Sequence, residues 1–179
     1  MVYVILGTGF EEAEAIVPCD LMRRAGIEVK LAGIGGLNVT GGHGISVCSD
    51  CVAEQTDFSD AEMIVLPGGL GGVASIRACS HVLDAVSAQY AAGRYVAAIC
   101  AAPTILAQLG ITDGKKATCY PGCEKDMTAA DTTGEPAVCD GKVITGKAAG
   151  TAFDFGLMLI EKLRDKQTAE RIAAGVVYR

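Results

Sequence analysis

The chain has 179 residues, half of them hydrophobic, a fifth charged and none tryptophan; this suits one compact domain over residues 1–179 and excludes a disordered chain. A formal charge of −6 and the lack of any basic run argue against nucleic acid or an acidic membrane as partner. No apolar stretch approaches the roughly 18 residues that cross a bilayer.

The opening "MVYVILGTGFEEAEA" enters a strand at once and then turns acidic, which does not read as a signal peptide. The strand covers 2–6, and a helix follows over about 10–25, stopped by Gly26. "EVKLAGI" (28–34) reads as the second strand, and "GGLNVTGGHG" as a glycine-rich turn into "ISVCSDCVAE", an antiparallel excursion. "EMIVLPGG" (62–69) is a buried strand ending in a loop, with one helical pattern running on to Ala92. "RYVAAI" is a strand and 101–109 a helix; "PAVCDGKVITGK" reads as a hairpin about Asp140-Gly141, since Asp-Gly supplies the positive φ of a tight turn. Helices near 151–164 and 166–174 close the chain. Repeated βα units with near-continuously apolar strands imply a mostly parallel sheet with helices on both faces and a small β-hairpin excursion. The reactive end of such a sheet is the carboxyl end of its strands. Three strand ends there are unusual: Gly7–Glu14, Pro67–Gly72 and Cys100–Pro103.

Eight cysteines (Cys19, Cys48, Cys51, Cys79, Cys100, Cys119, Cys123, Cys139) without a secretory leader point to a reducing, cytoplasmic setting and against disulfides. "CSDC" and "CYPGC" have metal-like spacings, but the first sits in a strand-like alternation and the pairs lie far apart. No metal site is expected. A nucleotide cofactor is not expected either. "GTGFEE" puts Glu11 and Glu12 where a pyrophosphate would sit, "GLGGVA" lacks a following acidic residue, and "GITDGKK" has the wrong spacing for a P-loop.

"YVAAICAAP" places Cys100 between a strand and a helix. Ordinary packing explains a cysteine there; so does a nucleophile displayed on a sharp elbow with small neighbours, its thiolate favoured by a helix amino terminus. Glu14 bears on the choice. It shares a helical stripe with Phe10, Val17 and Leu21, and a carboxylate on an apolar face must be paired or protonated. Such a carboxyl beside a thiolate donates a hydrogen bond or moves a proton. Glu11 and Glu12 read as helix-start charges. Only His43 and His81 exist; His81 begins a helix as a surface residue, and neither follows the cysteine, which disfavours a triad hydrolase. Met22 and Ala15 point away from the stripe that faces the sheet.

Together "EEAEAIVPCDLMRRAGIEV", "IVLPGG", "VAAICAAP" and "GTAFDFGLMLIEKL" resemble the ThiJ/PfpI superfamily, in the branch of the Parkinson disease protein and its bacterial chaperone or deglycase relatives. The matching segments run from the first strand to the helix near 160. The resemblance implies a flavodoxin-like three-layer sandwich, a homodimer, Cys100 as the reactive, oxidisable thiol and Glu14 as its protonated partner. It implies that the amides of Gly69 and Ala101 form the oxyanion site, and that Arg24 and His43 stand where the family places basic groups near the cysteine, the second coming from the partner subunit. The sequence departs from the family at three places. Tyr120 stands where relatives often carry histidine, His43 where they often carry arginine, and Ala101 where the peptidase branch has histidine, which removes a protease reading.

Two functions follow. One is a cofactor-independent enzyme acting on 2-oxoaldehydes such as methylglyoxal and glyoxal, or on their protein adducts: a glyoxalase or deglycase that protects against oxidative stress. The other is non-enzymatic, an oxidation sensor or redox-regulated chaperone working through Cys100.

Overall fold

The strand β1 (Val2–Leu6) is buried at every position, as a parallel strand covered on both faces must be. The computed structural model describes residues 1–179. After β1 come α1 (Glu12–Arg24), β2 (Val29–Gly33), β3 (Asn38–Thr40), β4 (Ser46–Cys48), β5 (Cys51–Val52), β6 (Met63–Leu66), α2 (Leu70–Ala78), α3 (Ser80–Ala91) and β7 (Tyr95–Ile99). Then follow α4 (Pro103–Gln108), β8 (Lys116–Ala117), β9 (Asp131–Thr132), β10 (Ala137–Asp140), β11 (Val143–Gly146), α5 (Ala152–Leu163) and α6 (Lys166–Gly175). The central sheet runs β10-β11-β7-β6-β1-β2-β5, parallel throughout except for the β10–β11 hairpin at one edge.

The sheet separates two cores. One joins it to α1, α5 and α6 through Phe10, Leu21, Met22, Phe155, Leu159 and Ile172. The other joins it to α2, α3 and α4 through Val73, Ile76, Val82, Val86, Ile105 and Leu106. This is the flavodoxin-like three-layer sandwich, with the hairpin β3–β4 outside the sheet.

Local chemistry fixes the element ends. α1 stops at Gly26, φ +72°, where the Gly26 amide bonds Arg23 and the Ile27 amide bonds Met22, the pairing of a Schellman cap. The helical pattern up to Ala92 is two helices, because Cys79 between them is extended (φ −98°, ψ 92°). "ISVCSDCVAE" also divides: β4 pairs antiparallel with β3, whereas β5 joins the main sheet parallel to β2. In the β10–β11 hairpin Asp140 pairs with Val143, so Asp140 ends the strand and Gly141 (φ +59°) alone supplies the positive φ. Ala15 and Met22, expected to face outward, are fully buried. α1 is covered by α5, which approaches so closely that a Cβ on Gly156 would lie 2.8 Å from the Leu21 side chain and 3.1 Å from Pro18. Val17 is half-buried and Ile16 is the exposed apolar residue of that helix. No helix is long and apolar enough to cross a membrane.

Candidate active site

β7, β6 and β1 are neighbours in the sheet, and the chain turns from β1 to β2 on one side before returning to β6 on the other. Open α/β sheets bind ligands at the carboxyl ends of strands where the order reverses in this way. The loops leaving β1, β6 and β7 carry the three unusual segments of the sequence, and they meet.

Cys100 leaves β7 with φ +67°, one of two non-glycine residues at positive φ. Such a backbone costs about 1–3 kcal/mol and persists only when the surroundings hold it. The Cys100 amide donates to Gly146 at 2.9 Å, its carbonyl accepts the Tyr120 amide at 2.8 Å, and the Ala102 amide closes the turn on Ile99 at 3.1 Å. Ala101 and Ala102 are buried, which leaves no side chain to compete for the space.

Glu14, in the first turn of α1, is 1 % exposed. Its Oε2 accepts the Gly68 amide at 2.9 Å, and its Oε1 has no hydrogen-bond partner. Burial pushes its carboxyl up to about 7, against the easing effect of the Cys100 thiol and the Gly68 amide. Burial and the Glu14 charge push Cys100 up to about 12, against the amides of Gly69 and Ala101, which favour the charged sulfur. The two groups therefore titrate as a pair. It loses one proton near pH 7 and keeps the second through the neutral range. The lowered thiol pKa expected from the helix amino terminus is thus overturned. α4 has only six residues, and burial of the sulfur, together with the carboxyl next to it, outweighs it.

Glycine makes this approach possible. A Cβ on Gly68 would lie 2.5 Å from Glu14 Oε2 and 2.7 Å from the Cys100 Cβ. Gly69, φ +83°, presses its α-carbon against the β1–α1 loop, where a Cβ would meet the Gly9 carbonyl at 2.5 Å.

The other expected residues lie elsewhere within the chain. His43, expected at the cysteine of a partner subunit, is held within its own chain by Glu12. Its ring Nδ1 is 2.8 Å from Glu12 Oε2, and its amide reaches Glu12 Oε1 at 2.8 Å. Glu12 is therefore no simple helix-start charge. It is buried, and although burial raises it, the bonds from His43 and Ile45 hold its carboxyl down at about 2. With Glu11 these groups form a cluster whose donor atoms lie within 4.8 Å of one another; its bonds pin the β3–β4 loop to α1. Arg24 ends α1, ten residues and so about 15 Å of helix beyond Glu14, paired with Asp20 at 2.7 Å. Tyr120 is half exposed and joins the site through its backbone bond to Cys100. His81 is exposed and bonds the Thr56 carbonyl. A cleft of about 360 Å³ is lined by Cys119, Pro121, Glu124, Thr132 and Lys147, and no residue of the elbow lines it.

Three contributors escaped the sequence. The Gly68 amide was hidden beside Gly69 in "LPGG", where either glycine fits. Gly146 holds the elbow through its carbonyl, and Ala149 eases the Glu14 charge through its amide. Backbone groups of this kind leave no residue-type signal.

The architecture is a flavodoxin-like α/β sandwich with a cysteine at positive φ beside a buried glutamate. Comparison with known proteins makes it specific. The DJ-1/PfpI family model matches residues 1–162, and the chain belongs to that family. It is 37 % identical to Protein dj-1beta of Drosophila melanogaster over 97 % of this chain and 95 % of that one, whose crystal structure superposes with a TM-score of 0.95 over 99 % and 97 % of the two chains. It is 31 % identical to the Glutathione-independent glyoxalase DJR-1.2 of Caenorhabditis elegans, over 86 % of this chain and 82 % of that one. The structure of oxidized Toxoplasma gondii DJ-1 matches at a TM-score of 0.93 and 30 % identity, covering 99 % and 97 %.

Proposed function

We propose that the protein is a cofactor-independent glyoxalase or deglycase that converts methylglyoxal, glyoxal or their early adducts on amines and thiols to 2-hydroxy acids. The observation that carries this reading is Glu14 Oε1, buried without a hydrogen-bond partner beside a cysteine held at positive φ. Above about pH 7 the pair carries one negative charge and one proton. In the resting form Glu14 is the carboxylate and Cys100 holds the remaining proton; transfer of that proton to Glu14 makes Cys100 the thiolate that attacks.

The thiolate adds to the aldehyde carbon. A C–S bond forms, the carbonyl π pair moves to oxygen, and that oxygen takes the Glu14 proton to give a thiohemiacetal. The amides of Gly69 and Ala101 serve the developing oxyanion. Glu14, now a carboxylate, removes the proton from the former aldehyde carbon to give an ene-diol and returns it to the neighbouring carbon, while the hydroxyl proton on the first oxygen passes to the second, so that the first carbon becomes the thioester carbonyl and the second carries the hydroxyl. The product is a thioester of the 2-hydroxy acid, and water releases the acid and regenerates the thiol. No net oxidation occurs, so no redox cofactor is required. Deglycation begins with the same attack. The name of the Caenorhabditis relative supports this choice of substrate.

Turnover of methylglyoxal to lactate by purified protein without glutathione tests the proposal. Cys100→Ser and Glu14→Gln should each lose at least about a hundredfold, and equal turnover by Cys100→Ser would end it. A second reading, an oxidation sensor or chaperone acting through Cys100, draws on the oxidised state of the Toxoplasma relative. It would take over if wild type showed no turnover while peroxide modified Cys100 reversibly. The homodimer is part of the proposal. Ile16 and Ile45, exposed on α1 and the β3–β4 loop, suit a partner, and a monomer in light scattering at micromolar concentration would remove it.

A further inference from the structure

A second hydrogen-bonded chain leaves the elbow on the side away from Glu14, and the chemistry above does not use it. Thr104, 4 % exposed in the first turn of α4, donates its hydroxyl proton to the Ala101 carbonyl at 2.6 Å. The same carbonyl accepts the Thr104 amide at 3.2 Å. The Thr104 oxygen accepts in turn from Arg77 Nη2 at 2.7 Å. Arg77 lies in the last turn of α2, 27 residues away in sequence, and none of the chain's ion pairs includes it.

An arginine at a helix end ordinarily turns to water, to a carboxylate or to its own helix's carbonyls. Arg77 is exposed, and one of its Nη2 N–H groups is nevertheless given to a buried hydroxyl. A charged donor makes a bond about twice as strong as a neutral one and strengthens the next bond in the chain. The chain ends on Ala101, the residue after Cys100, whose amide favours the charged sulfur. On its amino side the strained elbow is held by Gly146, and its own carbonyl by Tyr120. On its carboxyl side the hold is Thr104, backed by Arg77.

We propose that Arg77 is a positioning residue for the nucleophile: through Thr104 it fixes the turn at Ala101 and so aims the Ala101 amide at the Cys100 sulfur. This rests on the reading of Cys100 as a nucleophile. It explains how a short helix keeps an elbow rigid. It also gives the site a cation-backed anchor within one chain, where His43 is tied to Glu12 and Arg24 to Asp20.

The test is the pH–rate profile of Cys100 alkylation by iodoacetamide, read by peptide mass spectrometry on the full chain, with no aldehyde present. Arg77→Met and Thr104→Val should each slow alkylation at pH 7 by about fivefold, the worth of roughly one hydrogen bond, and move the profile to higher pH. Thr104→Ser keeps the hydroxyl and should match wild type. The double variant Arg77→Met/Thr104→Val should be no slower than Thr104→Val alone, because Arg77 acts through Thr104. Wild-type profiles in both single variants overturn the proposal, and so do additive losses in the double variant. If Arg77→Met does not fold, the Thr104 pair decides: a slow valine with a normal serine supports it, and equal rates overturn it. Absent methylglyoxal turnover with shifted alkylation profiles sinks the enzymatic reading alone.

Discussion

Glu14→Gln should stabilise the protein in alkaline solution and not in acid. In the unfolded chain the carboxyl titrates near 4.5, and in the fold it titrates at about 7. Between these values the native state holds a proton that the unfolded state has released, so stability falls as pH rises through the window. The contribution is fully present below pH 4.5 and lost above about 7. At 1.36 kcal/mol per unit, a rise from 4.5 to about 7 is worth about 3 kcal/mol. Glutamine keeps an oxygen for the Gly68 amide and cannot ionise, so it escapes this loss. The argument does not depend on which atom holds the remaining proton, because the second step of the pair lies at about 12, outside the window. The advantage of the variant over wild type should therefore grow by about 3 kcal/mol between pH 4.5 and 8. For a chain of this size that is a relative gain of roughly 6–12 °C in Tm. Paired thermal melts by circular dichroism under reducing conditions, at half-unit pH steps, measure it. A difference that stays flat across the window, or shrinks as pH rises, would show that Glu14 ionises freely in the native protein.

Further expectations concern the backbone and the neighbouring loop. Cys100→Gly should be more stable than Cys100→Ala by about 1 kcal/mol in urea titrations, since glycine alone takes φ +67° without strain; equal midpoints would mean that the elbow is not strained. Gly68→Ala should abolish methylglyoxal turnover with the fold intact, because its Cβ would occupy the space between Glu14 and the cysteine; normal turnover would show that the two need not approach. Tyr120→Phe should retain most methylglyoxal turnover, because Tyr120 meets Cys100 through its amide and its ring is half exposed. Inactivity equal to that of Cys100→Ser would demand a phenolic proton donor.

The sandwich was legible because its signals were local and redundant. Strands such as "VYVIL" and "YVAAI" are apolar at every position, which only a sheet covered on both faces explains, and Gly26 stops α1 by the cap its position suggests. Finer features were lost where tertiary packing overrode local pattern. Nothing in "SIRACSHVLD" announces the break at Cys79, and helical spacing alone sent Ala15 and Met22 outward because it counts one buried face. α5 supplies a second, through a contact at Gly156 that joins segments over a hundred residues apart.

The candidate site was legible for a different reason: its residues break rules that the rest of the chain obeys. An acid in an apolar stripe and a cysteine on a strand-to-helix turn are both costly, and sequences keep such costs where function requires them. Glu12 shows the limit of that method. It sits two residues from Glu14 and is also little exposed, but it lies nearer the surface, where His43 and Ile45 neutralise and hydrogen-bond it. Satisfaction of a buried charge is a property of partners distant in sequence, so the sequence cannot separate a satisfied carboxylate from a frustrated one. Arg77 and Thr104 were invisible on the same grounds. Each is unremarkable alone, and only the 2.7 Å bond between them ties the end of α2 to the turn after Cys100. Residues that violate a local rule can thus be found from sequence, whereas those that support the violators become visible only once the chain has folded around them.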